Sequence, residues 1–199
     1  MFKRVMSLST LAALLLIASP DAASAQNVSV TPFVGYYAPL GTLLKEGATE
    51  IGTEGAMMFG GRLGLATPGK WSFEGTVAYS GAGLEDVPED GSVTILGARA
   101  LYQLATLGTA GSLHAGAGLA YVMRGGEFWD AIDEGGIEGI NDFGGTVGLS
   151  ARFPLGPSMT LRLDVEDYIY SGEIHDDTDA TESSLQNDLM LSAGLNFGF

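Results

Sequence analysis

Eight charged side chains lie in segments where polar and apolar residues alternate, and they are the first candidates for chemistry. They are five arginines and three carboxylates, namely Arg62, Glu74, Arg99, Arg124, Arg152, Arg162, Asp164 and Glu166. A guanidinium group binds a carboxylate through two parallel hydrogen bonds. Because charges removed from water must be paired, we expect an ionic network. A register with Arg62 opposite Glu74 fits the alternation.

A second group of candidates consists of carboxylates in the polar segments between the alternating ones. Asp176, Asp177, Asp179 and Glu182 supply the oxygen ligands that Ca²⁺ and Mg²⁺ prefer. A similar cluster comprises Glu127, Asp130, Asp133, Glu134 and Glu138. The spacing is not that of an EF-hand, which needs a glycine and a terminal glutamate at set positions. The alternative is that these acidic segments stay solvated and repel one another.

His114 is the histidine that lies in an alternating segment, which makes it the candidate for a catalytic base. No serine or carboxylate stands at a recognisable spacing from it, so an acid, a base and a nucleophile cannot be assembled. His175 lies among loop carboxylates, where we expect a solvated side chain. The sequence therefore predicts no enzyme and no organic cofactor.

The elements that must position these residues are β-strands. Alternation with a period of two is clearest over residues 189–199, where Leu189, Leu191 and Leu195 alternate with small or polar residues. The same pattern predicts eight strands, at residues 28–37, 57–66, 71–80, 93–104, 113–124, 143–153, 159–170 and 189–199. Which face of the first strand points outward is left open. Asp167 interrupts the apolar face of the seventh strand, which indicates the rim of the sheet or a bulge.

The connections between the predicted strands alternate in length. Four are long and acidic, at residues 38–56, 81–91, 125–142 and 171–188, and three are short turns. Long and short connections in alternation indicate that the strands run up and down, with the long loops at one end. The sequence thus predicts an all-β fold, an eight-stranded antiparallel up-and-down barrel.

The N-terminus has the pattern of a secretory signal peptide. Lys3 and Arg4 precede the apolar run at residues 11–18, and Ala23-Ser24-Ala25 resembles a cleavage site. We therefore expect a signal peptide at residues 1–25 and one barrel domain at residues 26–199. The chain has no cysteine and a net charge of −15, so we expect neither disulfides nor binding to nucleic acid.

Three observations favour a barrel in a membrane over a water-soluble barrel with an apolar interior. The polar face consists of glycine, serine, threonine, alanine and arginine, which suits a crowded lumen, and the predicted strands contain no lysine. The aromatic residues of the apolar face fall at two levels, as expected of girdles at the two surfaces of a bilayer. The first level comprises Trp71, Tyr102, Phe153, Phe197 and Phe199, and the second Tyr36, Phe59, Tyr79, Tyr121 and Phe143.

The alternating strands and the terminal Phe199 resemble the small eight-stranded barrels of the bacterial outer membrane, such as the transmembrane part of outer membrane protein A. The resemblance implies insertion into the outer membrane, with Phe199 read by the outer-membrane assembly machinery. It also implies contact with outer-membrane lipids and lipopolysaccharide. No peptidoglycan-binding domain is expected after Phe199.

These observations predict a structural or surface-interaction role, with acidic loops outside and a lumen filled by side chains. Eight strands enclose a space only wide enough for side chains, so a porin-like channel is not expected. A narrow pore for ions or small solutes and a lipid A-modifying enzyme are the alternatives. Divalent cations that bridge the acidic loops to lipid phosphates are a further expectation.

Overall fold

A computed structural model of the 199-residue chain describes residues 27–40, 42–46, 49–52, 55–82, 91–126, 141–175 and 181–199. Ten strands lie in this part of the chain. They are β1 (Asn27–Pro39), β2 (Thr42–Glu46), β3 (Thr49–Gly52), β4 (Ala56–Ala66), β5 (Trp71–Ser80), β6 (Ser92–Thr106), β7 (Ser112–Gly125), β8 (Asn141–Pro154), β9 (Met159–His175) and β10 (Thr181–Gly198). The described residues include no helix long and apolar enough to cross a membrane.

Eight of these strands close into one antiparallel barrel, in the order β1, β10, β9, β8, β7, β6, β5, β4. The seam joins the first strand to the last, with Val30 beside Phe197. On its other side β1 pairs with β4, and Val30 lies beside Leu63 there. Closure leaves none of these strands with a free edge. The predicted eight-stranded up-and-down barrel is confirmed.

The alternation of side chains decides which residues fill the barrel. Along β5 exposure alternates without interruption, from the exposed Trp71 to the buried Ser80. On the outer wall Leu63, Phe73 and Leu149 are each about half exposed, at 55%, 51% and 48%. An apolar belt that surrounds the whole barrel is far larger than the apolar patches of water-soluble proteins. The wall therefore has a polar inside and an apolar outside.

The face of the first strand, which the sequence left open, is decided by its neighbours. Phe33 and Tyr37 are buried inside the barrel, at 4% and 1% exposure, whereas Val34 and Tyr36 face outward. Both faces of β1 carry aromatic residues, so alternation alone could not distinguish them. Tyr36 thus lies on the outer wall, where the predicted girdle needs it.

Two segments predicted as loops contain strands, and both predictions are wrong in the same way. Residues 38–56 include the β2–β3 hairpin. Residues 171–188 include the ends of β9 and β10, which stay paired up to His175 beside Thr181. The sequence of these segments is rich in polar residues and lacks the regular alternation of a membrane wall. Backbone hydrogen bonds nevertheless continue the ladder, because they do not depend on side-chain polarity.

Asp167 marks no bulge, so of the two predicted alternatives, the rim of the sheet and a bulge, the bulge is wrong. The register of β9 with β10 runs without a shift through Asp167, which lies beside Leu189. Its carboxylate accepts a hydrogen bond of 3.4 Å from the Asn187 side chain. The strand continues beyond it to His175. A single outward carboxylate interrupts the apolar pattern without interrupting the backbone ladder.

Candidate functional site

The middle of the lumen holds six charged side chains, which we call the central network. Strands β4, β5 and β6 contribute one residue each and β9 contributes three: Arg62, Glu74, Arg99, Arg162, Asp164 and Glu166. None is more than 6% exposed. Three guanidinium groups face three carboxylates, so the network is electrically balanced. Balance and close pairing are what buried charges require.

Arg99 and Arg162 each bridge carboxylates from different strands. Arg99 donates from Nε and Nη2 to Glu74 Oε1 at 3.0 and 2.9 Å, and from Nη2 to Asp164 Oδ1 at 3.1 Å. It also pairs with Glu166. Arg162 pairs with Glu74 and donates from Nη2 to Asp164 Oδ1 at 2.9 Å. These contacts tie β5, β6 and β9 together across the lumen.

Arg62 brings β4 and β10 into the same network. Its Nη2 donates to Glu166 Oε2 at 2.6 Å and to Ser192 Oγ at 2.9 Å. The guanidinium carbon lies 3.9 Å from the centre of the Phe33 ring, a distance typical of a cation–π contact. Its Nε lies 3.6 Å from Glu74 Oε1. Arg62 therefore pairs with a carboxylate on the adjacent strand β5 and with one on β9, three strands away around the barrel.

The predicted register between Arg62 and Glu74 is wrong by two residues. Arg62 lies beside Thr76 in the β4–β5 ladder. The turn is wider than expected, because the backbone N–H of Thr67 donates to the carbonyl of Trp71 at 3.1 Å. Inward parity is unchanged by a shift of two, which is why the sequence could not detect it. Glu74 lies beside Gly64 on the same ladder, so its contact with Arg62 is diagonal, between adjacent strands.

Two glycines make room for the central network. A Cβ atom on Gly118 would lie 2.1 Å from the carbonyl oxygen of Ala98 and 2.6 Å from Arg99 Cβ. A Cβ atom on Gly148 would lie 3.1 Å from Glu166 Cγ. All three distances are shorter than an ordinary van der Waals contact. The long charged side chains thus lie over bare backbone on the neighbouring strands.

An apolar layer fills the lumen between the central network and the end with the long loops. Its members are buried, with exposures of 0–4%: Phe33, Tyr37, Met58, Ala78, Ala82, Val93, Ile95, Ala120, Val122, Tyr168, Tyr170 and Met190. The alternation of residues along the strands does not reveal this layer. Apart from its alanines, its residues are exceptions on a face that is otherwise small or polar. Only the closed barrel shows that these exceptions share one level.

A second ionic cluster caps the apolar layer at the loop end. Arg124 pairs with Asp142 and donates from Nη2 to the Tyr170 hydroxyl at 2.8 Å. The hydroxyls of Tyr37 and Tyr170 both donate to Asp188 Oδ2. Arg124 is one of the lumen residues that the sequence predicts, whereas Asp142 and Asp188 lie in segments predicted as loops. Their inward parity on β8 and β10 would have been the signal.

At the opposite end of the lumen, Arg152 and His114 face a cavity. Arg152 lies beside Arg162 in the β8–β9 ladder and makes no ion pair with any described residue. His114 Nε2 lies 2.9 Å from Ser112 Oγ, two residues earlier on the same strand. His114 Nδ1 has no hydrogen-bond partner among the described residues, so the carboxylate that orients the histidine of a catalytic triad is missing from this part of the chain.

The structure does not describe most of the predicted divalent-cation ligands. Asp176, Asp177 and Asp179 lie outside the described residues, as do the carboxylates at 127–138. Glu182 lies in β10, and only its backbone is described. The cation site stays a prediction.

The aromatic residues of the two predicted girdles all face outward. At the turn end the rings of Trp71 and Tyr102 lie 4.9 Å apart, edge to face. At the loop end the rings of Phe59 and Tyr79 lie 5.5 Å apart. The other members also lie on the outer wall, at Phe153, Phe197, Phe199, Tyr36, Tyr121 and Phe143. Aromatic rings at two levels with aliphatic residues between them are typical of a wall in a bilayer.

Comparison with known proteins gives the same fold. Residues 9–197 match the family of the outer membrane protein beta-barrel domain. The solution structure of outer membrane protein W from Escherichia coli is similar with a TM-score of 0.55 and 14% identity, over 88% of this chain and 98% of that one. Neisserial surface protein A has a TM-score of 0.52 and 15% identity, over 87% and 97%.

A major outer membrane protein from Thermus thermophilus is similar with a TM-score of 0.52 and 17% identity, over 88% of this chain and 100% of that one. At these identities the likeness shows the fold alone. No curated protein matches the chain. The family match covers almost the whole sequence, and the barrel has the outer wall that a bilayer requires. This chain is located in the bacterial outer membrane and belongs to the family of the outer membrane protein beta-barrel domain.

Proposed function

We propose that this protein is a closed, non-conducting barrel that anchors an acidic surface on the outside of the outer membrane. In such barrels the short turns lie in the periplasm and the long loops are extracellular. The loop end is then the outer end and the turn end the periplasmic one. The role is structural and interactive, and it involves no catalysis.

The observation that carries the proposal is the filled lumen. The central network occupies its middle, and the apolar layer and the Arg124 cluster follow toward the outer end. An ion that passed through would have to displace paired charges and then cross a dry apolar section. Both steps are costly, because an ion in an apolar environment loses its hydration. A narrow pore is therefore the weaker alternative.

The outer end supports the surface role. β9 and β10 pair over 17 positions, from Met159 beside Phe197 to His175 beside Thr181. A tilted strand crosses the bilayer in about 9–11 residues, so this hairpin continues beyond the apolar band. The segments 40–55, 81–91, 126–140 and 171–184 carry most of the carboxylates and, of the lysines and arginines, only Lys45. Such a surface attracts cations and the groups that cations bridge.

Planar-bilayer recording tests whether the barrel conducts. The purified protein is reconstituted, and the heat-dependent shift in gel mobility is used to verify that folded barrels are present in the same vesicles. We expect no reproducible single-channel steps. Reproducible steps that change in size or disappear in Arg62→Ala or Arg99→Ala would overturn the proposal, since they would place the ion path through the central network.

Divalent cations and lipopolysaccharide are the partners that we propose for the acidic surface. Binding of the reconstituted protein to lipopolysaccharide is measured with and without Mg²⁺. We expect retention to depend on Mg²⁺ and to fall when Asp176, Asp177 and Asp179 are changed together to asparagine. If the protein binds lipopolysaccharide equally well without Mg²⁺ and in the triple variant, the cation bridge is contradicted.

A further inference from the structure

The periplasmic end of the lumen contains a cavity of about 280 Å³, which we call the turn-end cavity. Its polar lining comes from side chains on six barrel strands and the turn before β5, chiefly Ser72, Gln103, His114, Arg152, Thr160 and Asn196. Lys70 lies at its mouth. No carboxylate of the described residues lines it. The cavity is thus a positively charged pocket that opens toward the periplasm.

Arg152 is a surplus cation in this pocket. The central network is already balanced, with three arginines and three carboxylates, and Arg162 uses its donors on Glu74 and Asp164. Arg152 lies beside Arg162 with like charges adjacent. Its Nε is buried and has no hydrogen-bond partner among the described residues. Arg152 as a whole is partly buried, and a partly desolvated charge without an ion-pair partner is costly, so this position favours an anion.

Two further donors without partners line the same cavity. Ser72 and His114 are 8% and 7% exposed, and Ser72 Oγ and His114 Nδ1 have no hydrogen-bond partner in the described part of the chain. Ser112 Oγ lies 2.9 Å from His114 Nε2. When that hydroxyl donates to Nε2, the neutral imidazole carries its proton on Nδ1 and becomes a donor to the cavity. Buried polar groups are normally satisfied, so three donors directed at one pocket favour a ligand that accepts hydrogen bonds.

We propose that the turn-end cavity binds a tetrahedral oxyanion of the phosphate class. Arg152 supplies the charge and a planar set of donors suited to phosphate oxygens, and His114 and Ser72 supply neutral donors. A water molecule takes up about 30 Å³ of the liquid, so the cavity has room for the anion and several waters. This site is independent of the proposed surface role, which concerns the opposite end of the barrel.

The phosphate could be a free ion or the headgroup of a phospholipid in the inner leaflet. The experiment therefore has two arms, inorganic phosphate and the water-soluble short-chain lipid dihexanoyl phosphatidic acid. The full-length mature protein is refolded in a nonionic detergent, which contributes no phosphate. Ionic strength is held constant with chloride, so that screening does not change during the titration.

The readout is the ring signals of histidine in protein that is isotopically labelled at histidine alone. The mature chain has two histidines, so His175 in the outer part of the protein serves as an internal reference. We expect a saturable shift of the His114 signals in at least one arm, and no shift of His175. The arm with the higher affinity identifies the source of the phosphate.

Arg152→Gln tests the anchor, and Lys45→Gln is the matched control because it removes one positive charge far from the cavity. We expect Arg152→Gln to weaken binding at least about tenfold, as loss of a charged hydrogen bond does, and Lys45→Gln to leave it unchanged. No saturable shift in either arm, or equal affinity in Arg152→Gln, would overturn the proposal.

The midpoint of unfolding provides a second test, which does not depend on the quality of the spectra. Ligand that binds only the folded state raises the unfolding midpoint. Phosphate is expected to raise the midpoint of the wild type and of Lys45→Gln, and to leave that of Arg152→Gln unchanged. Without phosphate, Arg152→Gln should be at least as stable as the wild type, because it removes an unpaired charge. A phosphate effect of the same size in all three proteins would contradict the site.

Discussion

Glu74 is the residue on which the central network depends most. Its carboxylate contacts the guanidinium groups of Arg62, Arg99 and Arg162, which come from three different strands. Removal of one partner from a buried ion pair is more harmful than replacement of the whole pair by apolar residues, because it leaves a charge without compensation. The three arginines would share that deficit.

Glu74→Gln is therefore expected to lower the free energy of unfolding by about 3–5 kcal/mol. The midpoint temperature of the heat-dependent shift in gel mobility measures this loss. Asp167→Asn is the control, since it removes a carboxylate on the outer wall that makes one long hydrogen bond to Asn187. Equal midpoints for the two variants would show that the central network does not stabilise the barrel.

Gly118 allows a separate test of the packing around Arg99. In Gly118→Ala the new methyl group meets the Ala98 carbonyl and the Arg99 side chain, so we expect a loss of about 1–3 kcal/mol, as in other overpacked sites. Gly61→Ala is the matched control, because a Cβ atom there has no neighbour within 4 Å. Unfolding in guanidinium from lipid vesicles measures both. A Gly118→Ala protein as stable as Gly61→Ala would refute the close approach.

At the scale of the strand, β10 has two roles, and different residues perform them. Toward the lumen it contributes Ser192 to the central network, and it closes the barrel against β1. Its end lies at the turn-end girdle, where the Phe199 N–H donates to the Val28 carbonyl at 2.9 Å and the ring is 78% exposed. The ring packs little against the rest of the barrel, so the proposed recognition of Phe199 during assembly can be tested separately from folding.

Phe199→Asp is expected to reduce the amount of folded barrel in the outer membrane of cells severalfold. The same variant refolded from urea into vesicles should lose only about 0–1 kcal/mol, because charges near the interface are tolerated. Leu155→Asp introduces the same charge in a turn at the same end, where Leu155 is 54% exposed, and should insert normally. Normal insertion of Phe199→Asp would contradict the assembly role.

At the scale of the whole molecule, the barrel separates two solvents. Lipid contacts the aliphatic belt between the girdles, and the lumen provides its own polar environment through paired charges. The outer end extends beyond the bilayer as the paired ends of β9 and β10. Stability of the whole barrel should therefore depend on the depth at which a charge is placed in the outer wall.

Leu149 and Leu155 allow that dependence to be measured. Leu149 faces outward near the middle of β8, and Leu155 lies in the following turn. Leu149→Arg is expected to cost about 2–4 kcal/mol and Leu155→Arg about 0–1 kcal/mol, the values for the midplane and the interface. Unfolding from phospholipid vesicles gives both free energies. Equal costs would contradict the depth that the girdles assign to these residues.

The sequence by itself determined the wall of this protein. A period of two places residues of opposite polarity on opposite faces, and the girdle residues Trp71 and Phe143 indicate the height of the belt. Inward parity also placed Arg99 and Asp164 in the lumen. These features are local, because each depends on the spacing of residues within one strand.

The tertiary structure decided everything that depends on register and closure. Arg62 lies beside Thr76 and not Glu74 because one turn is wider by two residues, which parity does not reveal. Its contact with Glu166, three strands away, exists only in the closed barrel. The level shared by Ile95 and Met190 is likewise set by the stagger of strands around the barrel. Arg152 has no counter-charge among the described residues because closure brings the nearby carboxylates to other arginines. Partners across a lumen are fixed by the geometry of the closed wall, and no single strand contains that information.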